Sequence, residues 1–341
     1  MPERQISIVI KQEDALTLDG DVLALKYANG FYGLAETVFE TLAKQGADAK
    51  QKMPQLKDTQ LFRVGSELKV KQVMFVGVGN LYDFQYREIR EFSRLVLSSL
   101  AVKASETRRL IVTLHGVGYG LDEIEVLESE VAGFIDGINT GDYPKNLESI
   151  VISERSHSRA LRLQAALKEL LPEHGISVPG ATRSATSNQQ ASTRLQNVGY
   201  QSSSKAHVFV AMPFAANMDD TYHYGIQGAV KAAGFICERA DLSSFTGDVL
   251  TWVKHRIDSA TLVIADLTGA NANVYLEVGY AWGRNRQTVL LIRDTEDLKF
   301  DVQGQKCILY KNIQNLEDLL RQELEGLKQP PVIAQVDSPN E

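Results

Sequence analysis

The stretch TLVIADLTGANANVYLEVGYAWGR, residues 261–284, decides the fold of the C-terminal part of the chain. Its residues 262–265 are apolar and partly β-branched, which is typical of a strand buried on both faces of a parallel sheet. Asp266 follows where that strand should end. Asn273 is a good N-cap residue, and the apolar spacing after it predicts an amphipathic helix. The stretch therefore predicts a strand, a short loop and a helix of an α/β sheet.

This pattern places two carboxylates near the same end of the sheet. Asp266 ends the strand, and Glu277 lies about one turn into the helix, beside its apolar face. Gly279 is expected to let the helix approach the sheet closely. Because ligands bind at the carboxyl ends of the strands in open α/β sheets, the two acids predict a functional site. The simpler alternative is a solvated Glu277 stabilised by the helix dipole.

The stretch resembles the signature of the nucleoside 2-deoxyribosyltransferase and TIR-like superfamily, roughly ADLTG-x-N-x-NV-x-x-E-x-G-x-A. The resemblance covers about the last third of the chain and implies a flavodoxin-like parallel sheet. It also implies that Glu277 is the catalytic group that attacks or stabilises the anomeric carbon of a ribosyl group. For Asp266 two roles stay open: it orients the substrate, or it caps the loop by accepting from backbone N–H groups.

The same resemblance extends upstream of the signature. Residues 207–214, HVFVAMPF, look like the first strand and turn of the superfamily, and residues 238–241, ERAD, look like the end of its second strand. A plain strand-ending turn and an internal ion pair are the respective alternatives. The implied substrate-binding residues are Met212, Pro213, Phe214, Arg239, Asp241, Gly269, Asn271 and Asn273.

Asn271 bears on the choice of substrate. Deoxyribosyltransferases commonly have an aspartate at this place that assists proton transfer to the base, whereas an asparagine cannot act as an acid or a base. Cleavage of NAD needs no such proton donor, because the nicotinamide leaving group is already cationic, and NAD is therefore the preferred substrate. Glu277 lies near a helix N-terminus and is expected to stay ionised, as a nucleophile or oxocarbenium stabiliser requires.

The N-terminal half alternates predicted strands and helices, which indicates an α/β layered domain. Two of its predicted strands lead into glycine-rich loops, VGVGN at residues 76–80 and HGVGYG at residues 115–120. A glycine-rich loop before a helix exposes backbone N–H groups to an anion. Together with Gly20-Asp21-Val22 and Ala28-Asn29, this pattern resembles a macro domain over about residues 1–172.

The macro-domain resemblance implies a site for an ADP-ribose-like nucleotide. The aspartate matching Asp21 would contact the adenine, and the loop at residues 116–120 would wrap the diphosphate and the distal ribose. The family's second glycine-rich loop is replaced here by NGFYG at residues 29–33, whose aromatic rings suit an altered ligand or stacking on a base. The implied ligand-binding residues are Asp21, Asn29, Phe31, Gly77, Gly79, Gly116, Val117, Gly118, Tyr119 and Gly120.

Bulk composition limits the classes of function. The chain has 341 residues, 44% of them hydrophobic and 23% charged, which is ordinary for a globular protein of two domains. A formal charge of −7 argues against broad binding to nucleic acid or to an anionic membrane. Two cysteines imply neither a disulfide framework nor a Cys-based zinc site. With no apolar run of spanning length and no signal peptide, a cytoplasmic protein is expected.

A shift toward Ser, Thr, Gln, Asn and Gly marks residues 177–205 as an interdomain linker. The fold predicted around it is α/β, with a macro-like α/β/α domain at 1–176, a flavodoxin-like catalytic domain at 206–329 and a disordered tail at 330–341. The resemblances imply an NAD hydrolase of a prokaryotic anti-phage defence system, regulated by an ADP-ribose-like nucleotide and by homo-oligomerisation, with no bound cofactor. The alternatives are a nucleoside or deoxynucleotide deoxyribosyltransferase or hydrolase, and a non-catalytic nucleotide sensor that signals by assembly.

Overall fold

The chain divides into two compact units near residue 204. The computed structural model of the protein describes residues 5–44, 53–172, 175–177, 193, 195–239, 249–293, 302 and 304–328. Each unit is built around its own sheet, which is mixed in the first unit and entirely parallel in the second. The predicted fold class, two successive α/β units, is confirmed.

The first unit contains a seven-stranded sheet in the order β3-β4-β2-β5-β6-β1-β7. The five inner strands are parallel, and β3 and β7 run antiparallel at the two edges. All the inner strands therefore end at one edge of the sheet. The strands are β1 Gln5–Gln12, β2 Gly20–Tyr27, β3 Thr59–Arg63, β4 Val70–Gly77, β5 Arg109–Thr113, β6 Ser149–Glu154 and β7 Gly175–Ser177.

The helices of the first unit follow the predicted periodicity, and their bounds are α1 Leu34–Lys44, α2 Tyr86–Lys103, α3 Glu123–Thr140 and α4 His157–Leu170. Asp122 caps α3 as its sequence predicts, because its carboxylate accepts from the backbone N–H groups of Ile124 (2.9 Å) and Glu125 (3.1 Å). The edge strands β3 and β7 were not predicted. They have only five and three residues, which is too short for a period to show.

Part of the predicted linker folds against the first unit. Arg90 on α2 donates to the backbone carbonyls of Leu195 (2.8 Å), Gln196 (3.1 Å) and Val198 (2.6 Å), and it forms an ion pair with Asp136 on α3. The guanidinium also lies 4.9 Å from the ring centroid of Tyr200. Residues 195–204 thus form an ordered strap on α2 and α3. Residues 178–192 of the linker and the predicted tail lie outside the described residues.

The second unit contains a five-stranded parallel sheet in the order β12-β11-β10-β8-β9. Numbered within this unit alone, the strand order is 2-1-3-4-5, which is the flavodoxin-like order. The strands stay parallel, but successive strands are added toward one edge of the sheet up to β9 and toward the other edge from β10 onward, so the strand order reverses between β8 and β10. The strands are β8 His207–Ala211, β9 Ile236–Glu238, β10 Leu262–Asp266, β11 Thr288–Arg293 and β12 Cys307–Tyr310. The flavodoxin-like sheet expected for this half is therefore present.

The helices of the second unit are α5 Gln227–Ala232, α6 Val249–Ser259, α7 Ala272–Gly283 and α8 Ile313–Lys328. The residues before α5, Thr221–Ile226, form a π-helical turn. Asn271 rather than Asn273 is the N-cap of α7, since its side chain accepts from the Asn273 N–H at 2.9 Å. Gly279 is exposed, with no atom near its missing Cβ, so the predicted close approach to the sheet was wrong.

Candidate functional site

The first unit has a cleft of about 480 Å³ at the edge where its parallel strands end. We call it the glycine-loop cleft. Strand ends of β2, β5 and β6, the loop after β1, and the first turns of α1 and α4 form its walls. Its lining includes the charged and aromatic side chains of Asp14, Lys26, Tyr32, Glu36, His115, Tyr119, Glu154, Arg155 and Arg159. The position agrees with the general rule that α/β sheets bind ligands beyond the carboxyl ends of their strands.

The predicted loop at residues 115–120 forms one wall of this cleft. Gly116 (φ 97°) and Gly120 (φ 88°) are left-handed and flank a single 3₁₀ turn, Val117–Tyr119. The φ of Gly116 is one that L side chains rarely adopt, so this position favours glycine. Gly116, Val117, Gly118 and Tyr119 line the cleft, whereas Gly120 closes the turn behind it.

Lys26 lies within this cleft and was not predicted as a site residue. Its side chain is 7% exposed, and its Nζ lies 4.9 Å from the Tyr119 ring centroid and 5.8 Å from that of Tyr32. Burial lowers the pKa of its ammonium from 10.5 to about 8. Across the described residues, no carboxylate or hydrogen-bond acceptor pairs with this Nζ. The cleft thus holds a cation that none of the described residues neutralises.

His115 begins the glycine loop and is 6% exposed. Burial, together with the nearby charge of Lys26, lowers the pKa of its imidazole to about 3, so the ring is neutral. The ring packs edge-on against Phe92, with centroids 4.6 Å apart. Its Nε2 has no hydrogen-bond partner among the residues that the structure describes. His115 therefore brings a neutral aromatic ring, and no charge, to the back of the cleft.

Asp21 does not belong to the cleft. It lies at the amino end of β2, the opposite end from Lys26, and its carboxylate bonds Lys71 Nζ (2.6 Å) and the backbone N–H groups of Arg108 and Arg109. These donors lower its pKa against the effect of burial. The adenine contact expected for Asp21 is thus corrected to a structural role. Asp14, after β1, is one of the acids that line the cleft.

The other predicted ligand residues of the first unit also lie outside the lining of the cleft. Phe31 stacks on Phe39, with centroids 3.9 Å apart, and joins the core beneath α1, so the base-stacking role expected for it was wrong. Gly77 allows the backbone of Gln55 to pass where a Cβ would otherwise clash. Asn29 (φ 54°) and Gly79 (φ 79°) are left-handed loop positions. Tyr32, next to Phe31, does line the cleft.

In the second unit Glu277 sits on α7, at the edge of the buried stripe formed by Val274, Val278 and Ala281. Its side chain is partly buried, and burial raises the pKa of its carboxyl from 4.5 to about 7. Of the residues that the structure describes, none offers this carboxyl a hydrogen bond or an opposite charge. Burial therefore opposes the ionised state that the helix N-terminus was expected to favour.

Asp266 is fully buried at the end of β10. Its carboxylate accepts from the Thr268 N–H at 3.0 Å and from the Tyr310 hydroxyl at 2.7 Å. Burial raises the pKa of Asp266, against the opposing effect of these two donors, and it raises the pKa of Tyr310 to about 12. Of the two roles left open, this geometry agrees with the loop-capping one. Tyr310, 44 residues away in sequence, is the partner that the sequence did not reveal.

The loop between β10 and α7 has two successive left-handed residues, Gly269 (φ 74°) and Ala270 (φ 51°). Gly269 has open space around its missing Cβ, and Asn271 then caps α7. The Asn271 side chain is thus committed to the helix start. Asn273 is exposed on the first turn of the helix. Gly269 and Asn271 lie on the loop that connects Asp266 with the helix of Glu277, and Asn273 lies on the first turn of that helix.

The remaining predicted residues cluster at the carboxyl ends of β8 and β9. Arg239 lies 4.1 Å from the ring centroid of Tyr222, contacts the Met212 sulfur and pairs with Asp219 at 3.2 Å. Its guanidinium is 5.7 Å from the ring centroid of the exposed Phe214. Pro213, between Met212 and Phe214, is partly buried, and Asp241 lies outside the described residues. Arg239 therefore pairs with Asp219.

A second pocket of about 470 Å³ lies at the carboxyl ends of β11 and β12 and the start of α8. Arg293 and Tyr310 line it, and the Arg293 backbone N–H donates to the Thr268 hydroxyl at 3.3 Å. This contact ties the pocket to the Asp266 network. Within the described part of the chain no cluster of His, Cys, Asp and Glu could hold a metal ion, and no helix is long and apolar enough to cross a membrane.

No protein-family model matches the sequence, and no curated protein matches it. Among solved structures, the chain is similar to a Trypanosoma brucei macrodomain in complex with ADP (13% identity, TM-score 0.39, 48% of this chain and 69% of that chain). It is similar to the Oceanobacillus iheyensis macrodomain with ADP (14%, 0.38, 48% and 91%). It is also similar to a Clostridium botulinum CMP N-glycosidase (17%, 0.27, 33% and 97%). At these identities and TM-scores, the likenesses carry no functional argument.

Proposed function

We propose that the second unit cleaves an N-glycosidic bond in a nucleotide, with NAD as the leading substrate, and that the first unit binds an ADP-ribose-like nucleotide in the glycine-loop cleft. The observation that carries the enzymatic part is the Glu277 carboxyl. It is partly buried on the helix after the central strand of a flavodoxin-order sheet, and no described residue pairs with it. An unpaired buried carboxyl with a raised pKa is typical of a functional site.

The chemistry suits a substrate that is, or becomes, cationic at its reacting centre. Loss of the base from a ribosyl group builds positive charge on the anomeric carbon, and a nearby carboxylate stabilises that charge or attacks it. A cationic nicotinamide ring would also lower the pKa of Glu277 toward the ionised form. In the full reaction, the C–N bond breaks, its electron pair leaves with neutral nicotinamide, and water supplies the oxygen of the ribose and releases a proton.

Asp266 and Tyr310 have positioning roles in this proposal. Their hydrogen bond and the Thr268 contacts hold the loop that leads into α7. Asn271, whose side chain caps α7, cannot protonate a departing base. This favours a leaving group that departs neutral without a proton, as nicotinamide does. Regulation through the first unit, homo-oligomerisation and an anti-phage role are extensions of the same proposal that rest on the resemblances in the sequence.

Incubation of the full chain with NAD, with and without ADP-ribose, tests the proposal by nicotinamide release. Glu277→Gln keeps the shape of the side chain and removes its charge. Glu325→Gln, an exposed glutamate on α8, is the matched control. Release that Glu277→Gln abolishes and Glu325→Gln preserves is the expected result. Base release from CMP or deoxynucleotides, but not from NAD, would shift the substrate assignment; no release from any of them would leave the sensor alternative.

A further inference from the structure

We propose that Lys26 recognises the charge of the ligand: the glycine-loop cleft takes a phosphate-bearing ligand, and a phosphate oxygen binds the Lys26 ammonium between the rings of Tyr32 and Tyr119. The inference rests on the nucleotide-binding role proposed for the first unit and deepens it, because it assigns the residue that distinguishes a charged ligand from a neutral one. The sequence pattern gave no reason to expect this residue.

The geometry around Lys26 carries the inference. The residue is the last but one of β2, and its side chain is 93% buried, yet it lines an open cleft and not the core. Neither an ion pair nor a hydrogen bond to its Nζ is present in the described part of the chain. A buried charge without such a partner is costly, so its retention points to a partner that arrives from outside the protein.

The two tyrosine rings do not replace that partner. A ring face attracts an ammonium, but more weakly than an anion does in the same place. Burial lowers the pKa of Lys26, as expected of an ammonium without an anionic partner. Tyr32 belongs to the loop before α1, and Tyr119 belongs to the glycine loop. The rings therefore hold the ammonium between the two loops, within reach of a ligand that enters there.

The acids that face the cleft do not reach Lys26. Glu154 bonds the Ser156 N–H (2.7 Å) and Arg159, and Asp14 bonds the Leu16 N–H (2.9 Å). Glu36 is exposed on the first turn of α1. The remaining charged groups that line the cleft are Arg155 and Arg159, and the other ionisable neighbours are neutral His115 and the hydroxyls of Tyr32 and Tyr119. None of the acids that line the cleft therefore pairs with the buried Lys26 ammonium.

Phosphate is the class of anion that the rest of the cleft favours. The glycine loop with its left-handed Gly116 and the first turn of α1 line the same cleft, and glycine-rich loops and helix starts are the segments whose backbone N–H groups bind phosphate in proteins. A volume of about 480 Å³ is within the range that holds a nucleotide. Lys26 adds a buried point charge to such a backbone site.

Calorimetric titration of the full chain with ADP, adenosine and inorganic pyrophosphate tests the assignment. Lys26→Met is expected to weaken ADP binding at pH 7 by roughly tenfold or more, because a charge-assisted hydrogen bond is lost, and to leave adenosine unchanged. Lys71→Met is the matched control, since Lys71 is exposed and pairs with Asp21 at the opposite end of β2. Its ADP affinity should equal that of the wild type.

A pH series separates recognition of charge from a structural effect of the substitution. Between pH 7 and pH 9 the wild-type affinity for ADP should fall about tenfold, because Lys26 loses its proton in the free protein. Lys26→Arg stays charged throughout, so its affinity should be flat over this range. This variant also serves if Lys26→Met fails to fold, and it corrects for any ionisation of ADP itself.

The results decide between the two proposals. ADP affinity that Lys26→Met changes by less than about twofold, or parallel loss of affinity in wild type and Lys26→Arg, overturns the Lys26 assignment while the nucleotide site stands. Lys26-dependent binding of pyrophosphate without binding of any nucleotide supports the assignment and overturns the nucleotide role. A wild-type protein that binds neither pyrophosphate nor ADP overturns both.

Discussion

Each unit holds an ionisable side chain, of opposite charge in the two, that has no partner among the described residues. In the first unit it is Lys26, near the carboxyl end of a parallel strand, and in the second it is Glu277, partly buried on the helix that follows the central strand. Burial lowers the pKa of Lys26 and raises that of Glu277, and both come close to neutral pH. The cation suits a stable anionic ligand, whereas the acid suits a centre whose positive charge appears during a reaction. Under the two proposals, the sign of the side-chain charge distinguishes the nucleotide-binding site from the reacting site.

The largest effect is expected from Glu277→Gln. If the carboxylate stabilises charge that develops in the transition state, its removal should lower kcat for nicotinamide release by roughly 10²–10³-fold, as the loss of one electrostatic stabiliser does in other enzymes. Stability at pH 7 should stay the same or rise, because burial raises the pKa of this carboxyl and the substitution removes that penalty without loss of a partner. Steady-state kinetics and thermal unfolding check both expectations. A variant with near wild-type kcat would break the comparison on its acidic side.

Lys26→Met should stabilise the first unit while it weakens anion binding. The folded pKa of Lys26, about 8, lies below its unfolded value of 10.5, so the folded state is penalised below pH 8 and the penalty vanishes as pH rises past 10.5. Removal of the charge should therefore raise the free energy of unfolding at pH 7 by about 1–3 kcal/mol, less whatever the tyrosine rings contribute. Denaturant unfolding at pH 7 measures it.

The same unfolding experiment tests whether Lys26 serves ligand binding or the stability of the fold. A destabilised Lys26→Met would mean that the ammonium links the two loops through the rings, and that ligand recognition is secondary. The pH dependence provides the control: the gain over wild type should shrink between pH 8 and pH 10.

Tyr310→Phe tests whether Asp266 positions the loop. The substitution removes the hydroxyl that donates to the buried Asp266 carboxylate at 2.7 Å, and the loss should cost the second unit about 1–3 kcal/mol of stability. The Tyr310 hydroxyl lowers the pKa of Asp266 against the effect of burial, so its removal should raise that pKa further. Chemical denaturation measures the cost. Unchanged stability, with activity lost as in Glu277→Gln, would instead place Tyr310 or Asp266 in contact with substrate.

The smallest effect concerns pH. If Glu277 acts as a carboxylate, kcat/KM should rise with pH up to about 7 and then level off, and at pH 6 it should be about one tenth of the plateau. A cationic bound substrate lowers this pKa, so the profile of kcat should have its midpoint at lower pH than that of kcat/KM. A profile that falls across pH 6–8 would identify Glu277 as an acid and remove the contrast in sign with Lys26.

The sequence revealed the fold better than the sites. Strand and helix periodicity predicted both sheets, and the ADLTG stretch located Asp266 and Glu277 from spacing alone. Tyr310 could not be found this way, since only the parallel pairing of β10, β11 and β12 brings it to Asp266. Lys26 was hidden because a lysine in a strand normally signals a solvent-facing position.

The error over Asp21 had a signal that the sequence did contain. A residue that precedes a parallel strand lies at the amino end, whereas ligand clefts form at the carboxyl end. Asp14, which follows β1, satisfies that rule and lines the cleft. Burial could not be read from the sequence at all, and it shifts the pKa of Glu277 in the direction opposite to the one expected. Position along a strand is therefore a firmer guide than residue type.

The left-handed Ala270 has a consequence for engineering of the protein. An alanine with φ of 51° is held in a conformation that glycine adopts freely, at a cost of roughly 1–2 kcal/mol. A design procedure that ranks sequences by stability would select glycine there. Glycine at residue 270 would also leave the backbone before the helix that carries Glu277 less restricted. Thermostable variants of this enzyme candidate should therefore be sought away from residues 268–271, because a substitution that stabilises the fold there would also loosen the loop before the Glu277 helix.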